Sequence, residues 1–309
     1  MTTQLAPIVI FAFNRPKHLA ELLKSLSQNS EFAESELYIY VDGPRDNSDL
    51  KLVEETREVA ESISGMKAKN LVIREKNLGL GSSLKTGVTE VLSKSDKIIV
   101  LEDDLIVTNS FLKYMNAGLT KYQTEPKVAS IHGYCFGFDQ PIKDPFFLRG
   151  ADCLGWATWK DRWNSIAWNP VELMNRIDEL GLIRQFNLDE SHSHYSVLRA
   201  EEKKGFHSWA IYWHASMFSQ GRLTLFPGTS LIEYTGADGS GTHVVENSDF
   251  WKTEISAETN WKFPEVIAES SIAREQMIAY YNRIFPKLPF IGRIIRRIRF
   301  EFKRYLKII

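Results

Sequence analysis

The sequence predicts an α/β fold: a mainly parallel sheet flanked by helices, followed by an amphipathic helix at the C-terminus. Three observations predict it. Five short, nearly continuous apolar runs occur between residues 7 and 133, the pattern of strands buried on both faces. Between them lie segments whose apolar residues recur at spacings of three and four, the period of a helix with one buried stripe. After residue 286 the chain becomes basic and amphipathic. Strands alternating with helices imply βα units and a sheet of largely parallel strands.

Each element follows from its residues. "PIVIFAF" (7–13) is the first strand, and Pro16 suits the first turn of the helix carrying Leu19, Leu22, Leu23 and Leu26. "ELYIYVD" (36–42) is the second strand, stopped by Gly43-Pro44, and residues 48–64 form a polar helix. "LVIRE" (71–75) is the third, followed by "NLGLG" and a helix on Leu84, Val88, Val91 and Leu92. "KIIVLEDD" (97–104) is the fourth, with a helix on Phe111, Leu112, Met115, Leu119 and Tyr122 behind it. "KVASIHG" (127–133) is the fifth. Residues 1–133 therefore read as one half of a domain. No clear linker follows, so 134–285, which hold six of the eight tryptophans between 156 and 213, read as its second half.

With 309 residues, 43% hydrophobic and 25% charged, the chain has ample material for a core. A net charge of −1 gives no global basic field for nucleic acid. Residues 286–309 hold eight Lys/Arg and one acid, a charge of +7 that leaves −8 for the rest. Cys135 and Cys153 match neither a zinc spacing nor a disulfide framework, which fits a reducing compartment. The first residues lack the basic n-region of a signal peptide, and no apolar run reaches the ~18 residues of a membrane span.

Ligands of such sheets bind at the carboxyl ends of the strands. Polar groups collect there: Asn14-Arg15, Asp42, Asn77, and the triplet Glu102-Asp103-Asp104 inside "VLEDDLIV". Three adjacent carboxylates between apolar runs either lie in solvent or hold something positive, since an unpaired buried charge is very costly. Mn²⁺ or Mg²⁺ fits, taking one or two carboxylates together with substrate phosphates. Arg15, beside a helix N-terminus, suits a diphosphate or nucleobase; otherwise it is a surface arginine beside a helix start. Asp42 can accept hydrogen bonds from a ribose or a uracil N–H, or serve an Asp-Gly turn. His243 in "GSGTH" can complete a metal shell, the glycines before it allowing close backbone approach. Trp156, Trp159 and Trp163 in "LGWATWKDRW" share a helical face; Trp156, next to Gly155, is a candidate platform for an acceptor sugar, and the other two read as core.

Taken together, "FAFNRP", "VDGP", "NLGLGSSLKTG", "VLEDDLIVTNSFLKYM", "LGWATWKDRW" and "GSGTH" resemble the nucleotide-sugar glycosyltransferases of the GT-A fold, over roughly residues 7–245. The triplet is similar to their DxD-type motif, as found in the N-acetylglucosaminyltransferase I group and its bacterial relatives. The resemblance implies that Asp104 contacts the metal on the nucleotide diphosphate, with Glu102 and Asp103 in support. It further implies that Arg15, Asn77 and Lys85 line the donor site. One departure matters. Those relatives place the catalytic Asp directly after a Trp, where "SWAIYW" has Ala210. Two other carboxylates are candidates for the base: Glu233, at the end of a predicted strand ten residues before His243, and Asp152, just before Gly155-Trp156.

In the C-terminal segment Ile291, Ile294, Ile295, Ile298, Phe302, Tyr305 and Ile309 trace one helical face, with Arg293, Arg296, Arg297, Lys303, Arg304 and Lys307 over much of the rest. This is the pattern of an in-plane helix on an anionic membrane, the alternative being a helix packed on the body or on a partner. The expectation is a metal-dependent, inverting glycosyltransferase on the cytoplasmic face of the cell membrane. It would move a sugar from a nucleotide-diphosphate donor to a glycan or lipid-linked acceptor in bacterial surface polysaccharide synthesis. A sugar-nucleotide-binding protein without transfer activity and a nucleotidyltransferase are the alternatives.

Overall fold

The computed structural model describes residues 4–206, 208–240 and 248–286. The segment 287–309, with the predicted membrane helix, and His243 lie outside the described residues.

Ten strands and ten α-helices are described. The first half runs β1 (Ile8–Ala12), α1 (Pro16–Leu26), β2 (Glu36–Val41), α2 (Leu50–Ser62), β3 (Ala68–Ile73), α3 (Leu80–Lys94), β4 (Lys97–Glu102), β5 (Leu105–Val107), α4 (Phe111–Lys121) and β6 (Val128–His132). The second half runs β7 (Phe146–Arg149), β8 (Trp156–Trp159), α5 (Lys160–Trp163), α6 (Pro170–Glu179), α7 (Ile183–Phe186), α8 (His194–Lys204), α9 (Trp209–Ser219), β9 (Leu223–Phe226), β10 (Ile232–Tyr234) and α10 (Ser271–Ile284). Eight strands make one sheet in the order β3-β2-β1-β4-β8-β6-β9-β7, and β5 pairs with β10 in a small antiparallel ribbon. Strands β1 to β4 are mutually parallel, as are β6 and β9; β8 and β7 run antiparallel to their neighbours.

Side chains alternate across the sheet and build a core on each face. Ile8, Ile10 and Ala12 face α1 and α4, while Val9 and Phe11 face α3 and the tryptophans of the second half. Gly87 lets α3 lie close on that sheet face, since a Cβ there would stand 2.7 Å from the Phe11 ring. Asn169 and Ser270 cap α6 and α10 through side-chain oxygens that accept backbone N–H groups. A third cluster joins α10 to β7 through Phe146, Leu148, Met277 and Tyr281.

The tryptophan stretch departs from the predicted helical face. Trp156–Trp159 is a strand in the middle of the sheet, and only Lys160–Trp163 is helical. Residues three apart on a strand point to opposite faces. Trp156 therefore enters the core with Trp163, Trp209 and Trp213, and Trp159 enters the other. Trp156 is 0% exposed, so it offers no platform to an acceptor sugar.

Candidate active site

Adjacency of β1 and β4 brings the first strand's end and the acidic triplet together. Phe11 pairs with Glu102. The backbone N–H of Asp103 donates to the Phe11 carbonyl at 3.1 Å, and Asp103 Oδ2 accepts from the Phe13 N–H at 3.4 Å. Arg15, just before α1, turns its guanidinium onto the acids. Nη2 is hydrogen-bonded to Asp103 Oδ1, and Nη1 lies 3.0 Å from Asp104 Oδ2. Arg15, Asp103 and Asp104 are 16%, 3% and 9% exposed at their side chains, so this is a buried ion-pair cluster.

Three carboxylates against one guanidinium leave an excess of negative charge. Burial, reinforced by Asp104 and Asp103, pushes Glu102 up to about 8. Burial likewise pushes Asp103 up to about 6, although Arg15 pulls it down. Burial would lower Arg15, but Asp103 and Asp104 outweigh it and hold the guanidinium above its ordinary value. Asp104 Oδ1 is buried with no hydrogen-bond partner. An orphaned carboxylate oxygen in an over-acidic cluster has the donor chemistry of a hard divalent cation. Among the described residues, no set of three or more His, Cys, Asp or Glu side chains is already arranged around one metal position.

The β5/β10 ribbon closes one side. Thr235 donates to the Asp104 carbonyl from its backbone N–H (2.9 Å) and its hydroxyl (3.0 Å). At Gly236 a Cβ would stand within 2.5 Å of the Tyr234 hydroxyl and closer still to Asp104 Oδ2, so only glycine fits. Burial first, then Asp104 and Glu102, raise the Tyr234 phenol above its ordinary value. Glu233 lies between Ile232 and Tyr234 and is exposed. Strand alternation sends it to the face opposite Tyr234, away from the acids. This corrects the expectation that Glu233 borders the donor as base.

The other predicted donor-site residues hold loops together. Asp42 accepts from the backbone N–H groups of Leu78 (2.9 Å) and Gly79 (3.0 Å). Asn77 donates to the Gly43 carbonyl at 3.0 Å and accepts from the Gly79 N–H at 3.1 Å. Together they lace the loops after β2 and β3. Asn14 donates to Asp49 at 2.9 Å, and Arg45 forks onto the same carboxylate. Lys85 stands apart from these loops' hydrogen bonds. Its ammonium lies 4.4 Å from the centre of the Trp168 ring and 5.6 Å from that of Phe206, which is a cation–π setting. A cleft of ≈ 570 Å³ between α1 and α2 has Asn14, Arg15, Lys17 and His18 on its wall.

A second cavity, ≈ 230 Å³, lies in the second half and is lined by Asp152, Ala210, His192, His194 and His214 among others. Asp152 Oδ1 accepts from the Cys153 N–H at 2.7 Å and lies 3.9 Å from His132 Nε2. Burial holds His132 below its usual value, and its Nε2 accepts from the Leu154 N–H, so that pair is not ionic. Cys153 connects the two regions: burial, then Asp152, Glu102 and Asp104, raise its thiol well above the ordinary value. Ala210, at the position where the resemblance expects a base, shares the cavity with Asp152. The three histidines, Tyr234 and Gly236 were not singled out by the sequence. Only the close pair in "SHSH" hinted at the histidines; nothing tied it to His214, twenty residues on.

Residues 8–140 match the family model described as glycosyl transferase family 2. No curated protein matches the chain. Similar solved structures include the mannosyltransferase PcManGT from Pyrobaculum calidifontis in complex with GDP-Man and Mn²⁺. Its identity is 18% and its TM-score 0.32, over 42% of this chain and 36% of that one. Glucosyl-3-phosphoglycerate synthase from Mycobacterium tuberculosis, with Mn²⁺ and UDP, is 18% identical with a TM-score of 0.36, over 58% and 67%. S. aureus TarS 1–349 is 14% identical with a TM-score of 0.33, over 50% and 47%. The chain thus spans about a third of the first of these structures and about half of the third.

Proposed function

We propose that this chain, whose residues 8–140 match the model of glycosyl transferase family 2, transfers a sugar from a nucleotide-diphosphate donor to a glycan or lipid-linked acceptor, with inversion. The observation that carries the donor reading is the buried Asp103–Asp104 pair with the unpartnered Asp104 Oδ1. Asp104 is the principal ligand for Mn²⁺ or Mg²⁺, with Asp103 and Glu102 beside it and His243 as a further candidate from the sequence. When bound, such a cation supplies Lewis-acid stabilisation of the departing diphosphate. Arg15 is the group placed to share that role, since its guanidinium can leave the acids for phosphate oxygens. Asp42 and Asn77 act by fixing the loops that face the nucleotide.

For the acceptor, Asp152 is the base. Its Oδ1 is held by the Cys153 N–H, and it lines the cavity from which a hydroxyl would approach. Taking that proton as the hydroxyl attacks C1 in line gives inversion. Ala210 is the observation that favours a binding protein without transfer; Asp152 on the same cavity answers it. The Ile/Phe and Arg/Lys faces of 289–309 support attachment to an anionic membrane at the cytoplasmic side, where a lipid-linked acceptor of surface polysaccharide synthesis would lie.

Calorimetry with Mn²⁺ and a panel of nucleoside diphosphates tests the donor reading. Asp104→Asn should abolish cation-dependent binding in a folded protein, and unchanged affinity would refute it. For the membrane reading, deletion of 287–309 should release the protein from anionic liposomes; continued co-sedimentation would overturn it.

A further inference from the structure

Asp152 lies in the segment 150–155 that joins β7 to β8, and the two ends of this segment are held by different parts of the molecule. At the first end the Gly150 N–H donates to the Arg222 carbonyl at 2.9 Å, and the Gly150 carbonyl accepts from the Thr224 hydroxyl at 2.8 Å. His214 Nδ1 lies 2.8 Å from the carbonyl of the next residue, Ala151. At the second end the Gly133 N–H donates to the Gly155 carbonyl at 2.8 Å, and the Leu154 N–H donates to His132 Nε2 at 3.1 Å. Asp152 and Cys153 arch between these points, joined by the bond from the Cys153 N–H to Asp152 Oδ1 at 2.7 Å. His132, the last residue of β6, thus reaches the arch with its side chain and grips it two residues beyond Asp152.

The partners of this imidazole fix its state. Nδ1 is 2.9 Å from the Tyr134 carbonyl, which only accepts, so Nδ1 carries the proton. The Leu154 N–H only donates, so Nε2 keeps its lone pair. The ring is therefore neutral, in keeping with a burial that lowers its pKa below the usual value. It is 0% exposed and stands edge-on to Phe226, with ring centres 4.8 Å apart. Both nitrogens are committed, and turning the ring breaks both bonds. Asp152 Oδ1 stands 3.9 Å from Nε2, beyond hydrogen-bond reach, and two acceptors have no proton to share. His132 consequently holds the backbone beside Asp152 without pairing with its carboxylate. A general base needs both things, a fixed position and a charge that its support does not neutralise.

We propose that His132 is a positioning residue for the transfer reaction: through the Leu154 N–H it fixes the arch that aims Asp152 at the attacking hydroxyl. The assignment deepens the transferase reading and rests on it for Asp152 as base. Without the bond at Leu154 the arch keeps its hold at Gly150, Ala151 and Gly155, and the side chain of Asp152 loses the nearest support. A displacement of about 1 Å at a reacting group costs on the order of a hundredfold in rate. Donor binding is spared, because Asp103 and Asp104 follow β4 and Arg15 precedes α1, and none of the three bonds to His132.

The test measures hydrolysis of a panel of UDP- and GDP-sugars by the full chain with Mn²⁺. Water stands in for the acceptor hydroxyl, its proton passing to Asp152 as the bond from C1 to the diphosphate breaks. His132→Gln puts an amide oxygen where Nε2 accepts from Leu154. His132→Asn is too short to reach Leu154 and keeps only a donor for the Tyr134 carbonyl. His132→Asn should lower kcat about tenfold or more with the donor KM within about twofold, and His132→Gln should stay within about threefold of wild type. In an Asp152→Asn background, His132→Asn should cost less than about twofold more, because a residue acting through Asp152 then has nothing left to position. The proposal is overturned if His132→Asn keeps wild-type kcat, if KM rises in place of the fall in kcat, if Gln loses as much as Asn, or if the two losses multiply in the double variant. The last three are the results of a merely structural role. Should His132→Asn not fold, His132→Phe, which keeps a ring and removes both bonds, takes its place in the same comparisons. A loss in Asp152→Asn without one in His132→Asn sinks this proposal alone. Wild-type turnover in Asp152→Asn removes the base assignment, and no hydrolysis by the wild type removes the transferase reading; in either case His132 has no base to position.

Discussion

Replacing Arg15 by glutamine removes the guanidinium that Asp103 and Asp104 share, and its effect can be worked from the structure. All three side chains are buried, so the two acids would remain out of water with no compensating charge. Breaking a buried ion pair by removing one partner costs about 3–5 kcal/mol. At ~2 °C per kcal/mol for a chain of this size, the melting temperature should fall by about 6–10 °C in buffer containing a chelator. A divalent cation should then reverse the loss, because it supplies the missing charge at the same oxygens. At 100 times its dissociation constant a ligand of the folded state contributes about 2.7 kcal/mol, most of the deficit. The assay is a thermal melt of wild type and Arg15→Gln, each with chelator and with millimolar MnCl₂. The expected pattern is a large gap without metal and a much smaller one with it. Equal stability without metal, or an Arg15→Gln melting temperature that Mn²⁺ leaves unchanged, would refute the view that this cluster accepts a cation.

Asp152→Asn should cut turnover by a factor of ~10² or more with donor affinity retained, while Glu233→Gln stays near wild type; an Asp152→Asn enzyme with normal turnover would remove the base assignment. Gly150→Ala forces a left-handed backbone onto an L-residue and drives a Cβ into the His214 ring, so urea denaturation should show a loss of about 2 kcal/mol or more. Stability should also depend on the cavity histidines. Their folded values are depressed, so the unfolded chain takes up protons first, and the stability present above pH 6.5 is lost as pH falls towards 4. Each histidine can contribute a slope of up to about 1.4 kcal/mol per pH unit. The raised Glu102 and Asp103 act in the opposite sense, and Asp152, Glu269 and Arg149 face the same cavity. The diagnostic is therefore the comparison with His192→Phe, whose melting temperature should fall less between pH 6.5 and 4.5.

The first half of the fold was legible because β1, β2, β4 and β6 are buried on both faces and spell nearly uninterrupted apolar runs, whereas β3, at the sheet's edge, is exposed or half-buried. β1, β2, β4 and β6 fall within a residue or two of the predicted spans, and β3 begins three residues earlier than predicted. In the second half the same reasoning misread "WATW". Bulky residues at spacing three fit a helix face, and they fit equally well a strand whose two faces are both buried. The polar groups at the strand ends were legible as a set. Their partners were not: Arg15 meets acids 88 residues away, and His214 meets residues 63 positions before it, contacts that local pattern does not encode. Cys153 looked inert by spacing and lies between the acids and the cavity.

The position of β8 has a consequence for how the chain reaches this structure. It sits between β4 and β6, so the strands of the first half are contiguous only after a segment made later has been inserted between them. The pairs Ile99↔Ala157 and Ile131↔Ala157 put one residue of the second half in register with both neighbours. A fragment ending near residue 140 would leave β4 and β6 with facing unpaired edges and half of each core exposed, an invitation to edge-to-edge association. Nucleation must instead wait for contacts of high sequence separation, whose loop-closure entropy slows folding. The two halves thus share one sheet: the acids at the end of β4 acquire their final setting only when the strand leading out of Asp152 has been laid beside them.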